Sequence, residues 1–245
     1  MGYHESLTEG RNAVLEAFRS GKTVDRLFVL DGCQDGPVKT ILREAKQDTM
    51  VQYVKKERLD QLSETKNHQG VIAYCAACEY AEVSDILENA KKKGEAPFIV
   101  LLDGIEDPHN LGAIIRTANQ AGAHGVIIPK RRAVGLTATV ARTSAGAVNY
   151  TPVAKVTNLV TVMEDLKKEG MWFVCADMDG EEMYSLNLKG PIGLVIGNEG
   201  EGVSRLVKEH CDMVASIPMK GDIDSLNASV AMGVLAYEIV RQRRF

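Results

Sequence analysis

The sequence predicts an α/β fold built on a mostly parallel sheet. Three observations carry that reading. Segments with strand character alternate with segments of helical period along most of the chain. Phe98-Ile99-Val100-Leu101-Leu102 is almost wholly apolar, as suits a parallel strand covered on both faces. Gly193-Leu194-Val195-Ile196 is a second buried-strand run, ended by a loop with glycine at 197, 200 and 202.

In chain order, Val14, Leu15 and Phe18 have helical spacing, and Arg26 to Leu30 reads as a strand. Val38 to Lys46 reads as a helix, Val51 to Val54 as a short strand, and Leu59 to Leu62 as a helical turn. Val71 to Tyr74 is a strand that closes a small α/β unit. A polar bridge, 79–95, follows, with a helix over Val83 to Lys92, and Ala96-Pro97 marks a boundary.

Beyond Phe98 to Leu102, Pro108 suits the first turn of a helix because its missing N–H costs nothing there. Leu111, Ile114, Ile115 and Ala118 give that helix its apolar stripe, and Gly122 ends it. Gly125 to Pro129 is a strand, Ala138 to Ala147 a stretch of small residues, Val153 part of a short strand and Leu159 to Lys168 a helix. Strands are predicted at Met171 to Ala176, Ile192 to Ile196 and Val214 to Pro218. A helix from Ser225 to Arg241, capped by Asp224 or Ser225, completes the chain.

At 245 residues the chain has ample length for one large or two small cores. No apolar run approaches the roughly 20 residues needed to span a membrane, and Met1 to Arg19 has no signal-peptide core, so a cytoplasmic protein is expected. Five scattered cysteines argue against a disulfide scaffold. Cys75-Ala-Ala-Cys78 has metal or redox spacing, but no second Cys/His pair accompanies it, so plain thiols and no metal are expected. A net charge of −4 weighs against a nucleic-acid partner. The basic clusters at 91–93, 130–132 and 241–244 each read alone as a solvated face.

The glycine loop carries the chemistry. It is neither G-x-G-x-x-G nor a phosphate loop ending in Gly-Lys-Ser/Thr. Glu199 and Glu201 would repel a phosphate, so the loop suits a ligand that is neutral or cationic where they meet.

Three blocks now stand in order: Leu102-Asp103-Gly104-Ile105-Glu106-Asp107-Pro108-His109-Asn110-Leu111-Gly112-Ala113-Ile114-Ile115-Arg116-Thr117-Ala118, then Ile196-Gly197-Asn198-Glu199-Gly200-Glu201-Gly202-Val203, then Ile217-Pro218-Met219 leading to Ser225-Leu226-Asn227-Ala228-Ser229-Val230-Ala231. In order and spacing they resemble the three motifs of the SpoU (TrmH-like) RNA 2′-O-ribose methyltransferases. Gly10-Arg11-Asn12-Ala13-Val14 and His68-Gln69-Gly70-Val71 resemble the small substrate-binding domain of one branch, which methylates guanosine in bacterial 23S rRNA.

The resemblance implies an L30e-like RNA-binding domain over 1–78, a linker over 79–95 and a SPOUT catalytic domain over 96–245. It also implies a deep trefoil knot, a homodimer that shares its active site, and S-adenosylmethionine as methyl donor. Gly197, Asn198, Ile217, Met219 and Leu226 should hold the donor. Arg116 should stabilise a developing alkoxide or a neighbouring phosphate, since a guanidinium stays protonated. Asn110, Ser225 and Asn227 should line the site, and Glu199 should orient Arg116, Asn110 or the substrate. Arg11, Arg142, Lys130 and Arg131 are candidates for RNA phosphate. The tail from Arg241 has no role beyond solvation or RNA contact. The rivals are the same chemistry on tRNA, a silent RNA-binding assembly factor on this fold, and a nucleotide-binding α/β enzyme.

Overall fold

A computed structural model describes residues 6–33, 35–45, 49–222 and 225–245. They form two compact units: the chain up to Glu79 with Gly135–Ala138, and Tyr80–Val134 with Thr139–Phe245.

The first unit runs β1 (Ser6–Glu9), α1 (Arg11–Arg19), β2 (Val24–Leu30), α2 (Gly36–Glu44), β3 (Met50–Val54), α3 (Lys56–Leu62) and β4 (Val71–Cys75). Its sheet has the order β1-β4-β2-β3, with only β2 and β3 parallel. Strand alternation divides its core. Leu27, Val29, Val71 and Ala73 pack with Val14 of α1 and Val38 and Ile41 of α2. Phe28 and Ile72 point the other way, onto Leu59 of α3. The Asp35 side chain caps α2 by accepting from the Val38 N–H at 3.1 Å. That helix stops at Glu44, short of Lys46, which lies outside the described residues.

The second unit runs α4 (Val83–Lys93), β5 (Phe98–Asp103), α5 (Pro108–Gln120), β6 (Gly125–Pro129), α6 (Ala138–Thr143), β7 (Val153–Val156), α7 (Leu159–Lys168), β8 (Trp172–Glu182), β9 (Ile192–Gly197), α8 (Arg205–Glu209), β10 (Met213–Ser216) and α9 (Ala228–Arg244). Its six strands lie in the order β10-β8-β9-β5-β6-β7, and every neighbouring pair is parallel. β5 and β9 are buried along their whole length, as their unbroken apolar runs require. Ile86 of α4, Met163 of α7 and Val207 of α8 join one core with Leu101, Phe173 and Val195. α9 packs on β9 and on α5.

Several boundaries differ from the sequence reading. β1 and α8 are additions, and β8 continues to Glu182. Within the small-residue stretch from Ala138 to Ala147, to which the sequence reading assigns no element, α6 spans Ala138–Thr143. The last helix begins at Ala228 because Asn227, in an extended conformation, accepts from the Ser229 and Val230 N–H groups. Ser225 therefore precedes the helix and does not cap it, and Asp224 lies outside the described residues.

The basic C-terminal stretch is only in part a solvated face: Arg241 and Arg244 are exposed, whereas Arg243 is half-buried. Arg243 donates to the carbonyls of Ala96 at 3.0 Å, Pro97 at 2.9 Å and Gly190 at 2.7 Å. Arg241 makes a two-pronged bond to the buried Glu238 carboxylate. Arg243 thus ties the end of α9 to the segments at 96–97 and 190, while the Arg241–Glu238 pair lies within the helix.

His124 is fully buried, accepts from the Phe98 N–H at Nδ1 (2.9 Å) and faces Glu95 through Nε2 at 3.1 Å. Burial lowers its pKa below the ordinary 6.5, so the folded protein holds it neutral. The unfolded chain then binds the extra proton first as pH falls. The stabilisation is complete above about pH 6.5 and is lost as pH drops below it. Thermal unfolding measured from pH 8 to 5 should show a falling Tm that is flattened in His124→Gln. Parallel slopes would exclude His124 as the source.

Candidate active site

A cleft of about 660 Å³ opens where β8, β9 and β10 end. Parallel α/β sheets bind ligands in such crevices, outside the carboxyl ends of their strands. Residues 197–202 form one side and Ala176 to Asp179 with Glu182 another. The rest of the lining includes Ala215 to Met219 and Ser225, Leu226, Ala228 and Ala231.

The glycine loop is stiff. Asn198 and Gly202 exchange two backbone bonds, of 3.1 and 2.8 Å. The Asn198 side chain donates to the Gly104 carbonyl at 3.1 Å and accepts from the Gly200 N–H at 2.7 Å. Asp103, at the end of β5, accepts from the Ser204 N–H at 2.8 Å. A β-carbon on Gly197 would lie 2.1 Å from the Gly202 carbonyl carbon, so only glycine fits.

Glu199 leaves this loop and gathers two other segments. Its Oε1 accepts from Asn110 Nδ2 at 2.9 Å, from Asn227 Nδ2 and from the Ala228 N–H at 3.3 Å. Asn227 Nδ2 also donates to Asn110 Oδ1 at 2.9 Å. Helices α5 and α9 are thus joined at their first residues through one carboxylate. Asn110 does not cap α5; Asp107 does, accepting from the His109 N–H at 3.0 Å.

Arg116 stands apart from this knot of bonds. It is exposed on α5, six residues and therefore about 9 Å along the helix from Asn110. Glu199 orients Asn110 and not Arg116, and among the described residues no bond or ion pair engages the Arg116 side chain. An exposed guanidinium with no partner among the described residues suits a ligand that brings its own negative charge.

Gly197, Asn198, Ile217, Met219 and Leu226 all line the cleft, as do Glu199 and Ser225. Asn110, Arg116 and Asn227 do not line it but stand at its edge or beyond. Every charged side chain in the lining is a carboxylate: Asp177, Asp179, Glu182, Glu199 and Glu201. That donor set fits a cationic ligand and opposes a phosphate. Among the described residues no group of three His, Cys, Asp or Glu could hold a metal ion.

The expected RNA-contacting residues divide. Arg131 and Arg142 are exposed, and Arg142 makes one bond of 3.2 Å to its neighbour Thr139. Lys130 is half-buried. Arg11 is engaged inside its own unit: it pairs with Asp35 and donates from Nε to the Gln69 carbonyl at 3.0 Å. The Val38 N–H above all, with Cys33 and that ion pair adding to it, holds the Asp35 carboxyl below its ordinary range.

The sequence reading missed the wall at 176–182. Asp177-Met178-Asp179-Gly180 has the composition of a turn, so the strand seemed to end at Ala176. In the fold, Asp177 accepts from Lys208 Nζ at 2.7 Å and from the Asp179 N–H at 3.0 Å. Burial alone would raise the Asp177 carboxyl; these two donors outweigh it and lower its pKa.

Fold and site together define a parallel α/β domain with a stiff, acid-lined small-ligand cleft, preceded by a separate α/β unit. The SpoU rRNA methylase family matches residues 97–237, and the RNA 2′-O ribose methyltransferase substrate-binding domain matches residues 7–81. YacO of Bacillus subtilis, placed in the TrmH family of tRNA/rRNA methyltransferases, is 48% identical over 96% of this chain and 94% of its own. A Staphylococcus saprophyticus protein of the same description is 45% identical over 98% of this chain and 97% of its own. The SpoU methyltransferase AviRb from Streptomyces viridochromogenes, solved with AdoMet, superposes with a TM-score of 0.62 at 27% identity, covering 98% of this chain and 91% of that one. An AdoMet-bound rRNA methyltransferase from Sinorhizobium meliloti gives 0.61 at 25% identity, over 96% and 86%. The chain belongs to the SpoU family, whose members are S-adenosylmethionine-dependent RNA methyltransferases.

Proposed function

We propose that this protein transfers a methyl group from S-adenosylmethionine to the 2′-hydroxyl of a guanosine in 23S rRNA. The observation that carries the donor half is the cleft itself, stiff, acid-lined and at the carboxyl ends of β8, β9 and β10. Bound there, S-adenosylmethionine supplies a methyl group on a cationic sulfonium, and it has no phosphate for the carboxylates to repel. Backbone groups around Gly197, Ile217 and Leu226 hold it, with Asn198 keeping the loop in shape. Methyl transfer needs in-line geometry above all, so a rigid loop matters more than acid–base power.

On the acceptor side, Glu199 fixes Asn110 and Asn227, which orient the ribose together with Ser225. Arg116 stabilises the hydroxyl oxygen as its proton leaves, or grips the adjoining phosphate. Arg131, Arg142 and Lys130 contact further phosphates, and the first unit, 1–78, binds RNA beyond the target, joined by 79–95 to the catalytic domain 96–245. A homodimer, a knotted C-terminal segment and a cytoplasmic location complete the reading, as the family resemblance implies.

Glu199→Gln isolates the charge, since a glutamine oxygen still accepts from Asn110 and Asn227. Methyl transfer should fall about tenfold, with donor affinity within a few-fold of wild type. Unchanged turnover would exclude a charged role at Glu199.

The test of the function is methyl transfer from labelled S-adenosylmethionine to bulk rRNA and bulk tRNA from a host lacking this protein. One labelled guanosine 2′-O position in 23S rRNA is the expected result. Label in tRNA would retain the chemistry and overturn the substrate. No label in either RNA or in ribosome precursors, with donor binding intact, would favour a silent RNA-binding role.

A further inference from the structure

We propose that Arg116 and Arg142 grip one and the same RNA phosphate, the one adjoining the target ribose, and that Thr143 is the positioning residue that sets Arg142 there. The proposal rests on the methyl-transfer reading and narrows the part of Arg142 in it from phosphate at large to this one.

Gly112, Arg116 and Asn119 follow one another at spacings of four and three, so they share one face of α5. The chain from Thr143 onward lies along that face. A β-carbon on Gly112 would overlap the Thr143 hydroxyl and lie 3.0 Å from the Ser144 nitrogen, so the last residue of α6 is seated where α5 has no side chain. Farther along, Asn119 donates to the Thr151 hydroxyl at 3.0 Å. Arg116 lies between these two contacts and is still exposed.

The Thr143 hydroxyl fixes the seat. It lies 2.9 Å from the Thr139 carbonyl and 3.3 Å from the Val140 carbonyl of its own helix, and 3.2 Å from the carbonyl of Pro108, the first residue of α5. Ser144, fully buried, donates back to the Ala141 carbonyl at 3.0 Å. α6 is thereby held to the turn of α5 that also carries Asn110, which Glu199 fixes.

Arg142 is the residue before Thr143. Side chains on a helix lean toward its N-terminus, which carries the Arg116 guanidinium toward the Gly112 turn, four residues and about 6 Å back along the axis. Two guanidiniums are so brought to one patch. Among the described residues neither has an ion pair, and Arg142 has its 3.2 Å bond to Thr139. Two cations side by side repel unless an anion lies between them. A phosphodiester spreads one negative charge over two outer oxygens and can take a fork from each arginine. None of Gly112, Arg116, Arg142 and Thr143 lines the donor cleft, which keeps the phosphate apart from the carboxylates there.

Single-turnover methyl transfer to rRNA, at saturating donor and RNA, tests the sharing as a double-mutant cycle. Arg142→Ala should slow the step about tenfold with the donor Kd unchanged. Because both arginines serve one phosphate, the double variant should be less than about threefold slower than Arg116→Ala alone. Thr143→Val keeps the bulk and loses the hydroxyl. It should slow the step about fivefold and leave Arg142→Ala less than about twofold to remove, and Thr143→Ser should restore the rate to within about twofold. If the effects of the two arginine substitutions simply multiply, the arginines hold separate phosphates and the proposal falls, with the methyl-transfer reading intact. A Thr143→Val protein with a lowered Tm and a full rate would overturn the positioning role. If the wild-type protein methylates no RNA, the methyl-transfer reading falls and the proposal with it.

Discussion

Arg116→Ala should lower kcat for methyl transfer by about 10²- to 10³-fold, the range expected when one preorganised donor to a developing oxyanion is removed. Donor Kd should stay within about twofold, because Arg116 does not line the donor cleft. Stability should not move, because the side chain is exposed and has no partner among the described residues. Arg116→Lys separates two versions of the role. A lysine keeps the charge and loses the planar fork, so a site that grips a phosphate or alkoxide with two N–H groups should remain at least tenfold impaired. Near-complete activity in Arg116→Lys would show that only the positive charge counts. Single-turnover kinetics with a saturating donor makes the measurement, since it removes product release from the rate.

Gly197→Ala should abolish measurable donor binding, with Kd raised about 100-fold or more. The added carbon would meet the backbone of Gly202 and Val203 at 2.1 to 2.3 Å. No rotamer relieves a clash with backbone, so the Asn198–Gly202 pairing must open. Opening it releases the Asn198 side chain from Gly104 and Gly200, and with it the position of Glu199. Isothermal titration with S-adenosylmethionine gives the affinity, and circular dichroism separates a displaced loop from an unfolded chain. Wild-type affinity in Gly197→Ala would mean that the loop can move aside without cost and that its stiffness is not what holds the donor.

The two effects fall on different quantities, kcat for Arg116 and donor affinity for Gly197, and that division follows from where the residues sit. Gly197 ends β9 in the middle of the buried sheet, facing the cleft. Arg116 is on the solvent side of α5, where a large RNA can reach it.

Much of this was legible in the chain alone. An unbroken apolar run such as Phe98 to Leu102 has no polar face to offer water, so it must be a covered strand. Pro108 and the stripe from Leu111 to Ala118 define α5 from local sterics and period. The acidic glycine loop excluded a phosphate-binding role by charge alone. Such features depend on neighbours in sequence, and so sequence holds them.

What only the tertiary structure decided depends on residues distant in the chain. Glu199 was expected to orient Arg116, Asn110 or the substrate, and the fold gives it Asn110 and Asn227, at separations of 89 and 28 residues. The cap of α9 passed from Ser225 to Asn227 because helix starts turn on backbone conformation as much as on residue type. Arg11 and Arg243 read as cations available to solvent or RNA, and partners 58 and 147 residues away engage them. The segment 176–180 looked like a strand end, since only β10, placed beside β8 by the sheet order, shows that the strand resumes at Glu181. Local preference sets which segments become helices and strands; the pairing of charges and the shape of the cleft arise only when the sheet brings the ends of β8, β9 and β10 together.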